Sequence, residues 1–262
     1  MQARLLPGFA FIEYVLFHCL YLEAMAIQQV HISDPRLNNH VQQVLHGENP
    51  VFMLQLPSVY ALVAPPTQDG VEALHRAKHR LPGKLYGSAI GNLHNFLTLA
   101  IPDMLPTHFH DYPNNAVCME GAFMRLVVDY SEINSPCVFE GTHQGLLLPE
   151  GPIRQLFRFI EIEFQEHYSE ALFPGKQYTA PICTSANISG DPLGSIVDED
   201  RALRFATEQE ISLVVMCNEE QEEKGSYPIF YFRGNRVSIE RKGPGWERML
   251  QSMPTNIEII QS

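Results

Sequence analysis

The stretch 51–63 places the tightest limit on the fold. It is almost wholly apolar, yet Pro57 cuts it and Pro65-Pro66 ends it. Neither piece approaches the roughly 20 apolar residues a membrane-spanning helix needs. Short apolar runs between breakers read as buried strands. Further short strands are expected at 85–90, 122–130, 144–148, 179–184 and 211–217. Residues 229–232 and 237–240 flank Gly234-Asn235 as a tight hairpin. Helices are expected at 71–79 capped by Asp69, from 93 up to Pro102, at 198–206 with an acidic start that suits the helix dipole, and at 246–250. Residues 155–164 are long enough for a helix, but Arg158, Glu161 and Glu163 fit neither period cleanly. Strands, helices and a hairpin together predict an α/β fold: a twisted mixed sheet with flanking helices. No repeat or linker divides the chain, so one domain is expected over 51–262, with 1–50 as an amino-terminal extension.

Within that extension, residues 5–22 are rich in Leu and Phe, and Ala24-Met25-Ala26 resembles a signal-peptidase site. Pro7, Gly8, Glu13 and His18 interrupt the run, which makes it a poor signal core and too broken for a membrane span. The plainer readings are an amphipathic helix packed on the domain, or a start at Met25. The five cysteines are scattered, odd in number and free of any C-x-x-C pair, which rules out a disulfide framework and a cysteine zinc cluster. A reducing, cytoplasmic setting is expected.

Charge supplies the first functional clue. Eighteen basic and thirty acidic residues among 262 give a net charge of -12, which disfavours wholesale nucleic-acid binding. Of only five lysines, Lys78 and Lys84 lie close together beside Arg76 and Arg80, and no acid occurs between Glu72 and Asp103. A solvated helix face would normally interleave acids, so this positive island suits a phosphate, carboxylate or carbonate ligand. The opposite pole runs from Asp191 to Glu223, with ten acids against Arg201 and Arg204, and is assigned no chemistry.

The second clue is Thr184-Ser185-Ala186-Asn187-Ile188-Ser189-Gly190, at the end of an apolar strand. Hydroxyls, an amide and backbone N–H groups at such a turn can cradle phosphate oxygens, although Ser and Asn also populate ordinary turns. This segment resembles the Ser-Ala-Asn-x-Ser-Gly signature of the YrdC-like family, the threonylcarbamoyl-AMP synthases. Lys78-His79-Arg80 with Lys84 matches that family's Lys-x-Arg and following lysine. Ser226 followed by Arg241-Lys242-Gly243 matches, in order and spacing, its hydroxyl residue, hairpin and Arg-x-Gly. The resemblance spans about residues 51–243.

The resemblance implies an open YrdC-like α/β fold and the joining of L-threonine, bicarbonate and ATP into a carbamoyl-type adenylate. Its product would feed tRNA threonylcarbamoyladenosine modification, with tRNA or a tRNA-modification protein as partner and magnesium accompanying ATP. It casts Lys78 and Arg80 as catalytic, and Lys84, Ser185, Asn187, Ser226 and Arg241 as ATP- or phosphate-binding. It casts Ser58 and Tyr60 as contacts of the amino acid. The chain departs from the family at Pro57-Ser58-Val59-Tyr60-Ala61, which is two residues shorter than the family's Pro-Thr-x-Thr-x-Tyr-Gly and ends in Ala. The family's central arginine has only Arg154 as a loose counterpart. Another amine, carbamoyl phosphate in place of bicarbonate, or a non-catalytic nucleotide- or RNA-binding module are therefore the alternatives.

Three other features compete. His108-Phe109-His110-Asp111 has the composition of a metal site, but Pro106 and Pro113 bracket it as a loop and it has no His-rich partner. Cys183 ends an apolar strand, as a buried inert thiol does. In Phe230-Tyr231-Phe232, alternate residues on a strand face the core, so packing accounts for at least part of this aromatic run.

Overall fold

The computed structural model describes residues 27–81, 85–111, 113–129, 136–166, 172–218 and 221–260. The apolar segment near the amino terminus, Lys84, and Glu219 and Glu220 of the acidic pole lie outside the described residues.

In chain order the elements are β1 (Gln28–His31), α1 (Leu37–Leu45), β2 (Phe52–Gln55), β3 (Tyr60–Ala64), α2 (Gln68–Lys78) and β4 (Gly87–Ala89). Next come α3 (Leu93–Leu97), α4 (Thr107–Asp111), β5 (Ala122–Val127), β6 (Thr142–Leu147), α5 (Pro152–Glu163) and β7 (Ile182–Ser185). The chain continues through α6 (Glu199–Glu208), β8 (Leu213–Met216), β9 (Ile229–Arg233), β10 (Arg236–Arg241), α7 (Trp246–Gln251) and β11 (Glu258–Ile260). All eleven strands join one sheet in the order β1-β8-β2-β3-β7-β4-β6-β5-β9-β10-β11. Five pairings are parallel (β1/β8, β2/β8, β4/β6, β5/β9, β10/β11) and five antiparallel, so the sheet is mixed as the sequence predicts.

Strand periodicity divides the core in two. Met53, Tyr60, Leu62 and Val214 face one side, where α2 and α6 pack with Val71, Leu74, Ala77, Phe205 and Ala206. Phe52, Leu54, Ala61, Val63 and Val215 face the other, under α1 and α5 with Val41, Leu45, Phe157 and Ile160. Burial on both faces explains why β2, β3 and β8 are continuous apolar runs rather than alternating ones.

Several boundaries differ from expectation. The sheet crosses residue 50: β1 pairs with β8, and Val30, Leu37 and Val41 are buried, so residues 27–50 are part of the same layered structure. Thr67, not Asp69, caps α2, its side chain accepting from Gly70 N. The helix expected to reach Pro102 stops at Leu97, and residues Pro102–Met104 form a separate 3-10 turn. Residues 155–164 resolve into α5, whose buried face includes the charged Arg154 and Glu161 that blur its period. The segment expected as a loop at His108 is the short helix α4. Among the described residues no helix is long and apolar enough to cross a membrane.

Candidate functional site: a cationic cleft at the end of β7

Two chain reversals build the site. At the end of α2, His79 adopts the left-handed conformation (φ 45°) and its N–H bonds to Arg76 O and His75 O. Lys78 is thus the last helical residue, and Arg80 leaves in a new direction. At the end of β7, the chain turns through residues 186–190, with Gly190 at φ 85°, a conformation that favours glycine. Backbone bonds fix this turn: Ala186 N to Tyr60 O at 2.7 Å, Ile196 N to Ala186 O at 3.0 Å and Ser189 N to Lys78 O at 2.9 Å.

Lys78 is only 2% exposed. Its Nζ donates to Ser185 O, Asn187 O and Asn187 Oδ1, at 2.5, 2.9 and 2.9 Å. An ammonium has three donors, and all three are used here, so Lys78 reaches a ligand through its charge. Ser185 Oγ also donates to Asn187 Oδ1 at 3.0 Å, and Asn187 Nδ2 donates to Ile188 O at 2.8 Å. Ser189 Oγ is sealed from solvent and makes no hydrogen bond to a described residue.

Arg80 lies 4.5 Å from the centre of the Tyr86 ring and donates to Leu85 O. Burial lowers its pKa and raises that of Tyr86 to about 12. Arg241 donates twice to Tyr227 O, from Nε at 2.9 Å and Nη2 at 2.6 Å. Desolvation, and then the nearby Arg125 charge, lower its pKa to about 10. Gly243 accounts for the Arg-x-Gly pattern. A Cβ there would sit 2.4 Å from Ser226 O and 2.7 Å from Pro228 N, so only glycine lets β10 exit against the backbone that carries Ser226. The Ser226 hydroxyl is 2.6 Å from Ser195 Oγ.

Between these groups lies a cleft of about 270 Å³. Six of the expected site residues line it together: Lys78, Arg80, Ser185, Asn187, Ser226 and Arg241. Among the described residues, no Asp or Glu lines it. The described residues therefore do not fit a protein-held magnesium ion, because Mg²⁺ takes oxygen ligands and in such sites is held by one or two carboxylates plus substrate phosphates.

Ser58 and Tyr60 do not line the cleft. Tyr60 packs in the core on the opposite face of the sheet, and the residues that reach the cleft from this segment are Val59 and Ala61. The reason is strand parity: Ala61 is in register with Ser185, so its neighbour Tyr60 points away. Ser58 is 1% exposed and its Oγ makes no hydrogen bond to a described residue. Arg154 is also elsewhere, buried against Glu120 at 3.4 Å and Glu150 at 3.2 Å. His108 borders a separate surface hollow with Cys118 and Ser252, and no metal-ligating cluster occurs among the described residues. Cys183 lies on the cleft floor with its thiol pushed up to about 12 by burial, which keeps it protonated and inert. Phe230 and Phe232 are fully buried, so packing explains that aromatic run. The floor also contains Gly87, Phe123, Gln144 and Leu146, to which the sequence attached no role. Their only sequence trace is the glutamine that opens an otherwise apolar run at 144–148.

No family model and no curated protein matches the chain. Solved structures do. P. abyssi Sua5 complexed with L-threonine superposes with a TM-score of 0.60 at 16% identity, covering 89% of this chain and 62% of that one. E. coli YciO gives 0.59 at 16% identity, covering 85% and 98%. This is the YrdC/Sua5 fold. Full-length HypF in its phosphate- and nucleotide-bound form shares it over 82% of this chain and 30% of that one, with a TM-score of 0.57 at 15% identity. The chain spans under two thirds of the length of the P. abyssi Sua5 chain. Proteins of differing activity thus share this YrdC/Sua5 architecture, and at these identities the likeness concerns the fold.

Proposed function

We propose that the cleft binds the phosphates of ATP and that the protein forms a carbamoyl-type adenylate, in the manner of L-threonylcarbamoyladenylate synthesis from L-threonine, bicarbonate and ATP. One observation carries the reading: three cationic side chains and, among the described residues, no carboxylate line a cleft in a chain of net charge -12. Such a site has to attract a strongly anionic ligand.

In the reaction, the amine nitrogen adds to bicarbonate with loss of water to give a carbamate. A carbamate oxygen attacks the α-phosphorus, the Pα–O bond to the β-phosphate breaks, and pyrophosphate leaves with the electron pair. An anion thus meets an anion, and cations held in advance lower that barrier. Arg80 and Arg241 line the cleft together with the buried Lys78 charge. Ser185, Asn187 and Ser226 supply neutral polar groups. Magnesium would arrive with the nucleotide, ligated by its phosphates and water. Lys84 is placed among the phosphate contacts by its motif alone. The product's consumer would be tRNA or a tRNA-modification protein, and the setting the cytoplasm.

A nucleotide-binding module without catalysis is the second reading. It is favoured by the orientation of Tyr60 and by the engaged donors of Lys78. Calorimetry with ATP, followed by pyrophosphate release with bicarbonate and a panel of amino acids, separates the two. Binding with release supports the enzyme, binding without release supports the module, and no binding at millimolar ATP overturns both.

A further inference from the structure

Where β4, β6 and β5 form the cleft floor, Gly87, Leu146 and Phe123 are apolar and Gln144 is polar. The orientation of the Gln144 amide follows from its neighbour. Arg125 Nη2 lies 2.9 Å from Oε1, and a guanidinium only donates, so the atom facing it has to be oxygen. Arg125 is itself held by Glu240 at 2.5 Å. The chain Glu240–Arg125–Gln144 therefore fixes the amide and turns its Nε2 away from Arg125. Nε2 makes no hydrogen bond to a described residue, and Gln144 lines the cleft. Gly87 keeps this floor open, since a Cβ there would sit 2.7 Å from Phe123 Cε1 and 3.2 Å from Gln144 Cγ.

Resting on the adenylate reading above, we propose that Gln144 and the floor around it are the co-substrate subsite. Gln144 Nε2 takes a carboxylate- or carbamate-type oxygen, and Ala61, Leu146 and Phe123 receive a short aliphatic group. The co-substrate class is then a small aliphatic amino acid rather than a hydroxylated one. Two amide N–H donors beside apolar side chains match an acceptor oxygen, because a donor that a bound ligand cuts off from water is costly unless it is paired. Ala61, Leu146 and Phe123 carry no polar side-chain atom for a hydroxyl to bond.

L-valine and L-threonine are nearly equal in size, which makes them the probe pair. An apolar pocket discriminates against an added hydroxyl by about 100-fold, whereas a site built to bond the hydroxyl rejects the analogue lacking it by about 10⁴-fold or more. With the full chain, bicarbonate and saturating ATP, pyrophosphate release is expected to show kcat/KM for L-valine at least tenfold above that for L-threonine. In Gln144→Met, which keeps the length and loses the donor, KM for L-valine is expected to rise at least tenfold and by more than the Kd for ATP. A preference for L-threonine, release with other amino acids of the panel but with neither of these two, or KM and Kd moving together or not at all would each overturn the subsite. No release with any amino acid, or no binding of ATP by the unaltered protein, would instead remove the adenylate reading on which it rests.

Discussion

Lys78 Nζ holds Asn187 by two oxygens, side-chain Oδ1 and main-chain O, each at 2.9 Å. The residues are 109 positions apart in the chain. The bond joins the end of α2 to the turn after β7, so the two segments that carry most of the polar cleft wall form one unit. It also divides the work among the cations. Lys78 orders the turn, and Arg80 and Arg241 are the other two cations that line the cleft.

Replacing Lys78 tests this directly. Lys78→Met fills similar space but leaves Ser185 O and Asn187 O without their donor in a buried setting, at a cost of about 3 kcal/mol. Urea denaturation should show that loss as a lower midpoint with an unchanged slope. An unshifted midpoint would mean that the turn stands without the lysine.

Charge attraction has an ionic-strength signature. Arg80→Gln and Arg241→Gln should each weaken ATP binding at least tenfold, and affinity of the unaltered protein should fall steadily as salt rises, since screening shortens the reach of exposed charges to about 8 Å at physiological salt. Calorimetric titrations over a salt series read both effects. A dissociation constant indifferent to salt would place the driving force outside the three cations.

Gly243→Ala should cost about 2 kcal/mol, in the range of other forced overpacking. The atoms it would strike, Ser226 O and Pro228 N, are backbone and cannot rotate aside. ATP binding should fall with it, because relief of the clash displaces Ser226. A thermal melt and a binding titration on the same variant check the pair of effects, and a variant that matches the parent in both would show that this approach is dispensable.

Two buried groups pull stability in opposite directions with pH. Glu161 accepts from Asn92 N at 2.7 Å and Asn95 Nδ2 at 3.3 Å, yet burial outweighs these bonds and nearby Arg158 and Arg154, and raises its pKa to about 7. Between about pH 4.5 and 7 the native state holds a proton that the unfolded state has lost, so this group makes stability fall as pH rises. His143 bonds to Ser88 Oγ at 2.8 Å and Cys137 O at 2.7 Å, and burial lowers its pKa to about 4. Between about pH 6.5 and 4 the unfolded state takes up the proton instead, so this group makes stability fall as pH falls. Each contributes at most about 1.4 kcal/mol per pH unit. Denaturation midpoints from pH 4 to 7 should be nearly level in the parent chain. In Glu161→Gln they should climb with pH, exposing the histidine. A level profile in that variant would contradict the opposition.

The sequence makes the sheet and the cationic wall legible for different reasons. β2, β3, β8 and the β9–β10 hairpin are short apolar runs between prolines, glycines and polar turns, a pattern that survives without knowledge of neighbours. Lys78, Arg80 and the turn at Ser185 stand out because a local excess of positive charge and a hydroxyl–amide cluster are rare in so acidic a chain. β1 was hidden because an edge strand of four residues with only Val30 buried carries too little periodicity. α5 was obscured by Arg154 and Glu161, charges that its buried face tolerates only because tertiary partners meet them. The parity of Ser58, Val59, Tyr60 and Ala61 depends on which residue of β7 lies opposite, and the position of Gln144 depends on β4 and β5. Both are facts of strand register, which no local window contains.

The residues lining the cleft run from Leu56 to Arg241 and come from strands that are neighbours in space but scattered along the chain. Any cut between those positions divides the site. Two fragments made this way would each be inert, and only their reassociation into the whole sheet would bring binding back, so the cleft is suited to a split reporter in which ligand capture counts reunited molecules.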